Sequence, residues 1–290
     1  MFPFVNRSSM CDTTGGGVQM IGIGWDTPVG VFMNLDEIYQ NGVAFIAYKN
    51  AKKISPQATV FFVKYSLPTA EFVYAVTAAH CVNEAPDNVN LWYNDQDGRR
   101  RSIEAPKSEW LFHPEYDVAV VLVDPSLPVT QFPKEMLSPS SDPTYVHGGR
   151  LVVTVGLFEP QVDSLQPIAR FGHIARPNIQ AELKFRIGKR AKYHVHAIEC
   201  MVWEGQSGSP VFCFDDRSEP GDQEYLRNDW RHSVTDRASD LNPRIIGLLH
   251  GYFPMNNGAD GFHTGISIVI PSEYILETLE LPEVQDGRGL

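Results

Sequence analysis

Trp203-Glu204-Gly205-Gln206-Ser207-Gly208-Ser209-Pro210-Val211-Phe212 sets one serine between glycines on a turn that opens directly into an apolar strand. Glycine adopts backbone conformations that other residues resist, so the chain around Ser207 is built to turn sharply. A serine hydroxyl is a weak nucleophile until a neighbouring base takes its proton. The stretch therefore acquires chemical meaning only if a base lies elsewhere in the chain.

Two earlier stretches supply one. Ala75-Val76-Thr77-Ala78-Ala79-His80-Cys81 is an apolar strand that runs into small residues just before a histidine, which leaves room around the imidazole. His113-Pro114-Glu115-Tyr116-Asp117-Val118-Ala119-Val120-Val121 is a proline turn followed by an aspartate at the head of a buried strand. The order is His80, Asp117, Ser207, with spacings of 37 and 90 residues. Of the chain orders known for a serine, histidine and acid constellation, histidine first and serine last is the one found in chymotrypsin-like enzymes.

Ala78-Ala79-His80-Cys81, Asp117-Val118-Ala119-Val120 and Gly205-Gln206-Ser207-Gly208-Ser209-Pro210 each resemble the motif around one triad member of the trypsin-like (chymotrypsin-fold) serine peptidases. The resemblance runs from near residue 40 to near residue 280. It implies an all-β fold, two packed six-stranded antiparallel Greek-key barrels closed by a C-terminal α-helix. It also implies a serine endopeptidase working through an acyl-enzyme, with His80 as base, Asp117 orienting it, Ser207 as nucleophile, and the N–H groups of Gly205 and Ser207 as oxyanion hole. No cofactor is implied, and the partner is a protein or peptide substrate.

The form Gly-x-Ser-Gly-Ser-Pro looks closer to bacterial trypsin-like and glutamyl endopeptidases than to secreted, disulfide-rich trypsins. Those trypsins carry an aspartate before the serine that pairs with a newly cleaved N-terminus; here Gln206 stands there, so no switch of that type is expected. By the same resemblance the specificity pocket has Met201 and Val202 at its base, Glu204 at its rim, His250, Gly251 and Tyr252 along one side, and Gly265 to Ser267 opposite. No aspartate lies at that base, so a preference for arginine or lysine is not expected. Glutamyl endopeptidases hold a histidine where Leu249 stands, and His250 is one residue later, which on a regular strand faces the other way. His250 and His263 leave an acidic preference open, and an apolar residue is the expected choice.

A chain of 290 residues, 43% of them hydrophobic, has ample material for a packed core in one large or two small domains. A formal charge of −11 disfavours nucleic acid or an anionic membrane as the main partner. The N-terminal stretch from Met1 to Ser9 has no basic start followed by an apolar core, so it makes a poor signal peptide, and no apolar run approaches a membrane span. Cys81 has no cysteine upstream in the Ile54 to Ala79 region to pair with, and Cys213 has none in the linker. Cys200 and Cys213 flank the serine loop, and the sequence neither requires nor excludes a bond between them. Mostly free thiols point to a reducing, cytoplasmic compartment.

In order along the chain, residues 1–40 form a leader, 41–124 the first barrel with His80 and Asp117, 125–145 a proline-rich linker, 146–270 the second barrel with Ser207, and 271–290 a helix and tail. Short β-branched and aromatic runs separated by turn residues carry the barrels, and Asp97-Gly98 signals a tight hairpin whose neighbours Arg99, Arg100 and Arg101 read as a solvated tip. An insertion within 214–243 holds 8 acidic and 4 basic residues, so it buries little. It reads as a solvated loop or as a lid or docking surface for a regulatory partner, with Tyr225, Leu226 and Trp230 as anchors.

Three other chemistries are weighed. Gly15-Gly16-Gly17 and Gly22-Ile23-Gly24 lack the strand-turn-helix context of a phosphate loop. His194 and His196, two apart on a strand and followed by Cys200, lack a fourth metal ligand, so no metal site is expected. An α/β-hydrolase needs Gly-x-Ser-x-Gly and long amphipathic helices, whereas Ser209 stands at the last glycine and no such helices are read. The remaining alternative is a protease fold kept as a latent or inactive binding module.

Overall fold

The computed structural model describes residues 41–50, 53–95, 97–157, 165–186, 189–214, 243–254 and 263–288. The leader, with its glycine runs, lies outside the described residues, as does the insertion from 215 to 242 with Tyr225, Leu226 and Trp230. All described residues belong to one compact unit, Val31–Leu290.

The first half builds eight strands: β1 (Val43–Asn50), β2 (Lys53–Ser66), β3 (Glu71–Thr77), β4 (Asn90–Asn94), β5 (Arg100–Glu104), β6 (Leu111–Phe112), β7 (Ala119–Val123) and β8 (Gln131–Pro133). They pair in the order β5-β4-β1-β2-β3-β7-β6, with β8 added in parallel to β2. The second half, β9 (Leu151–Gly156), β10 (Ile168–Arg186), β11 (Lys189–Glu199), β12 (Pro210–Phe214), β13 (Pro243–Pro254) and β14 (His263–Pro271), closes into a six-stranded antiparallel barrel. The fold is thus the mainly β, chymotrypsin-like one that the motifs imply. The count of eight strands rather than six in the first half comes from two very short pieces, β6 and β8, of two and three residues. Neither is long enough to leave an apolar signature in the sequence.

The central strands are buried on both faces, which is why they read as continuous apolar runs rather than alternating ones. Val60, Phe61, Phe62 and Val63 of β2 and Val73 to Val76 of β3 are all buried. At the edge, β5 exposes Arg100, Arg101, Ser102 and Glu104, charged and polar side chains that blunt an edge strand. Arg101 bonds Asp95 at 2.8 Å and Arg100 lies 4.6 Å over the Trp92 ring, so the arginine run decorates a hairpin.

One apolar cluster runs through both halves, and the linker is part of it, while a second gathers around Ile174, Ile198 and Ile246. Phe132 pairs with Val63 along β2, and its ring lies 6.3 Å from that of Phe61 in the first half and 5.3 Å from that of Phe212 in the second. Five residues on, Leu137 bridges Ile245 and Ser138 donates its N–H to the Ile245 carbonyl at 2.9 Å. The linker therefore ties the halves together.

The helix Ser272–Leu279 begins directly after β14, with Pro271 at its entrance, and a short helix Pro282–Gly287 follows. Tyr274 stacks on Tyr116, just ahead of Asp117, and Glu277 meets His113 Nε2 at 3.2 Å. The C-terminal helix thus buttresses the turn that delivers Asp117.

Replacing a fully buried phenylalanine by alanine removes its packing and leaves a cavity. Phe132→Ala should lower the unfolding free energy by about 3–5 kcal/mol, while Leu122→Ala, on an exposed side chain of β7, should change it by less than about 1 kcal/mol. Urea unfolding followed by tryptophan fluorescence measures both.

Candidate active site

Asp117 stands at the head of β7 with 1% of its surface exposed. Its Oδ1 accepts the His80 backbone N–H at 2.8 Å, and its Oδ2 lies 2.7 Å from His80 Nδ1. Burial by itself would raise its pKa, but the charge of His80 and hydrogen bonds from His250 and His80 outweigh that and hold the carboxyl well below its ordinary range. An ionised carboxylate only accepts hydrogen bonds, so His80 Nδ1 carries a proton and its Nε2 is left as the acceptor. That is the tautomer a general base needs.

His80 sits in the helical turn Ala79–Asn83, directly after β3. Burial works against its charged form, yet its pKa stands well above the ordinary histidine value, because the Cys81 sulfur and the Asp117 carboxylate both favour protonation. Its Nε2 meets Cys81 Sγ at 3.5 Å.

The serine loop is two successive tight turns. Gln206 donates its N–H to the Trp203 carbonyl at 3.2 Å and Ser209 to the Gln206 carbonyl at 3.0 Å. Gly205 and Gly208 take the third place in each, at φ +88° and +86°, where type II turns call for glycine. At Gly208 a Cβ would also lie 2.2 Å from the Thr59 carbonyl oxygen, so no side chain fits there. Among the described residues no acceptor is bonded to the N–H of Gly205 or of Ser207, whereas the amides of Gln206, Gly208 and Ser209 are all used. Two free amides thus flank the serine. Gln206 is fully buried, and its side-chain oxygen accepts the Trp203 N–H at 3.2 Å.

Thr59, in the middle of an apolar strand, is what holds this loop to the first half. Its N–H donates to the Ser207 carbonyl at 3.0 Å, and its Oγ1 donates to the Gly205 carbonyl at 2.9 Å while accepting the Leu157 N–H at 2.9 Å. Thr59 is absent from the sequence-based site. Its only mark there is a hydroxyl in the run Ala58 to Val63. His113 is a second such residue: its Nδ1 accepts the N–H groups of Glu115 and Tyr116 at 3.0 and 2.9 Å and so shapes the turn before Asp117.

The Ser207 hydroxyl donates to the His250 carbonyl at 3.0 Å, not to His80. The structure therefore brings the three motif residues into one site, with the His80–Asp117 pair formed and the serine hydroxyl turned to a third partner. A cleft of about 230 Å³ opens beside them, lined among others by His80, Cys81, Glu84, Leu157, Glu204, Gly205 and Ser207.

His250 is expected along one side of the pocket, and its ring meets the acid and the other histidine. Its Nδ1 lies 2.5 Å from Asp117 Oδ2, and its ring meets that of His80 edge to face with centroids 5.2 Å apart. The cause is an irregularity in β13: Leu249 pairs with Val269 and Gly251 with Ile268, so the register shifts by one residue at His250. Such a bulge re-aims a side chain. Of the other pocket residues, Met201 and Tyr252 are exposed, Val202 is buried, and a Cβ on Gly251 or Gly265 would meet nothing within 4 Å. Glu204 lines the cleft on the His80 side of the serine. The side chain of His263 lies outside the described residues.

His80, Asp117 and His250 also form the one group among the described residues whose possible ligand atoms gather within 4.8 Å. Their 2.7 and 2.5 Å contacts are those of hydrogen bonds, tighter than the ~3.3 Å between ligands that tetrahedral Zn–N and Zn–O lengths imply. His194 is exposed, whereas His196 is buried, accepting the Asn178 N–H at 3.0 Å, with its pKa lowered by burial to about 4. Cys81, Cys200 and Cys213 are buried and form no disulfide, so Cys200 and Cys213 do not pair.

Comparison with known proteins fits this geometry. Residues 58–218, more than half of the chain, match the trypsin-like peptidase domain family. No curated protein sequence matches. Among solved structures, the Rv3671c protease from M. tuberculosis in its active form is 17% identical, with 90% of this chain and 93% of that one covered at a TM-score of 0.52. The inactive form of the Rv3671c protease is 18% identical, with 89% and 98% covered at a TM-score of 0.50. At such identities the likeness is one of fold. By its match over more than half its length, the chain belongs to the trypsin-like peptidase family.

Proposed function

We propose that the protein is a serine endopeptidase that hydrolyses peptide bonds through an acyl-enzyme on Ser207. The observation that carries this is the pairing of His80 with a buried, ionised Asp117, opposite a serine whose own amide and that of Gly205 have no acceptor among the described residues. His80 Nε2 takes the Ser207 proton as Oγ attacks the carbonyl carbon, and later gives it to the leaving amine. Asp117 fixes the tautomer and stabilises the imidazolium. The two free N–H groups receive the oxyanion, and in enzymes of this kind the loss of one such donor costs on the order of 10²–10³ in turnover. The Gln206 side chain braces the loop from within, which supports a site assembled without a cleavage step.

For His80 to act, the Ser207 hydroxyl must swing from the His250 carbonyl to Nε2, and the Cys81 sulfur must yield that nitrogen. Hydrogen bonds of this kind are often completed only with substrate bound. The same observation favours a second reading, an enzyme held latent until a regulatory partner acts, with the charged insertion as its docking surface. The three described cysteines, buried and outside any disulfide, support a reducing, cytoplasmic setting.

A serine-directed fluorophosphonate, followed by intact mass and peptide mapping, tests the function. The expected result is one adduct, on Ser207, absent from Ser207→Ala; a folded wild type that takes no adduct would support the latent reading. Since the base must be neutral, activity falls as pH drops through its raised pKa. The kcat/KM of a peptide substrate should therefore rise with pH through a midpoint above 6.5, and Cys81→Ala should move that midpoint to lower pH. A midpoint that ignores the substitution would show that the thiol does not tune the base.

A further inference from the structure

The cleft beside Ser207 carries fixed charge of one sign. Two carboxylates, those of Glu84 and Glu204, belong to its lining, and no lysine or arginine does. They come from the two halves of the molecule. Glu84 ends the short helix that carries His80, and its N–H donates to the His80 carbonyl at 2.9 Å. Glu204 directly precedes Gly205 in the serine loop. Both are exposed, and among the described residues neither has a cation within ion-pair distance. Lys107, near Glu84, gives its ammonium to the carbonyls of Asn83 and Ala85 at 2.7 and 3.2 Å. Burial and then the Glu84 carboxylate raise the pKa of the Tyr48 hydroxyl, and Tyr48 lines the same cleft, so the charge of Glu84 is felt inside it.

The reaction fixes which part of a substrate this cleft meets. The carbonyl oxygen turns to the N–H groups of Gly205 and Ser207, and His80 Nε2 hands its proton to the leaving amine. That amine must come within hydrogen-bond reach of Nε2, so the residues it carries enter the space beside the His80 turn. His80, Cys81 and Glu84 of that turn line the cleft, whereas Met201, Val202, Gly251, Tyr252 and Gly265, the residues expected around the acyl-side pocket, do not. The cleft of about 230 Å³ therefore receives the chain that follows the scissile bond. A cleft lined by one sign of charge and walled by protein concentrates its field on what enters. The formal charge of −11 on the whole chain acts in the same sense, against acidic segments.

We infer that Glu84 and Glu204 select a cationic side chain, lysine or arginine, within the first two residues after the scissile bond. This rests on the reading of Ser207 as nucleophile and His80 as base. It is separate from the apolar choice expected before the bond, because the two carboxylates flank the path of the leaving group. An exposed ion pair changes an affinity by only about two- to fivefold, so the two together should favour lysine over glutamate by about tenfold.

A set of quenched-fluorescence peptides tests this, identical up to the scissile bond and carrying lysine, alanine or glutamate at the first or the second residue after it, with the cut placed by mass spectrometry. Wild type, Glu84→Gln, Glu204→Gln, the double variant and Glu84→Lys are compared as full chains, with thermal unfolding as the check of folding. In the wild type kcat/KM should fall in the order lysine, alanine, glutamate, with about tenfold between the ends, and the spread should shrink as salt is raised. Each single glutamine variant should narrow the ratio of lysine to glutamate, the double variant should bring it to about one, and Glu84→Lys should move it towards glutamate.

Equal rates on the lysine and glutamate peptides in the wild type, or a ratio that survives in the folded double variant, would overturn the inference. Ser207 labelling by the fluorophosphonate would in either case leave the peptidase reading intact. A folded wild type that neither labels nor cleaves any peptide of the set would remove the peptidase reading, and this inference with it.

Discussion

A carboxylate buried away from water is costly unless its oxygens are hydrogen-bonded, and the site is built around meeting that demand at Asp117. Three N–H groups do so: the backbone and imidazole of His80 and the imidazole of His250. Because the carboxylate stays charged, both histidines must present Nδ1–H to it, and their other nitrogens and backbones are thereby aimed. One buried charge thus sets the tautomer of His80 and draws in a strand from the opposite half of the molecule.

The rest of the fold keeps these partners in register. The carboxylate comes from a turn whose amides are collected by His113, itself backed by Glu277 of the C-terminal helix. The serine comes from a double turn that only glycines can make, pressed against Thr59 so closely that Gly208 has no room for a methyl group. Thr59 and His250 then cross between the halves in opposite senses. Thr59 reaches from the first sheet to the backbone of the serine loop, and His250 reaches from the second barrel to the side chain of the acid. Phe132 fills the apolar seam between Phe61 and Phe212.

The parts legible in the sequence are those whose cause is local. Gly205 and Gly208 mark the serine turn because a positive φ excludes most other residues there, and the strands announce themselves because burial on both faces leaves continuous runs such as Val60 to Val63. His250 was not legible as a partner of Asp117, since its direction depends on an irregular pairing with β14, a strand some twenty residues later that the local pattern does not contain. Thr59 was missed because a lone hydroxyl among apolar residues carries no periodic signal. Likewise the long hairpin of β10 and β11 extends past the apolar stretches that mark its base, through charged residues such as Glu182 and Lys192 whose side chains are exposed. The separation of local and long-range causes explains why the motif residues could be named and their resting partners could not.

The structure holds His80 Nε2 against Cys81 and the Ser207 hydroxyl against the His250 carbonyl, while Asp117 accepts from both histidines. The shared carboxylate is the central claim, and proton NMR of the ¹⁵N-histidine-labelled protein tests it most directly. Two strongly deshielded imidazole protons, one on Nδ1 of His80 and one on Nδ1 of His250, should be seen, and both should vanish in a folded Asp117→Asn variant; a single such proton, or a His250 resonance indifferent to that substitution, would contradict it.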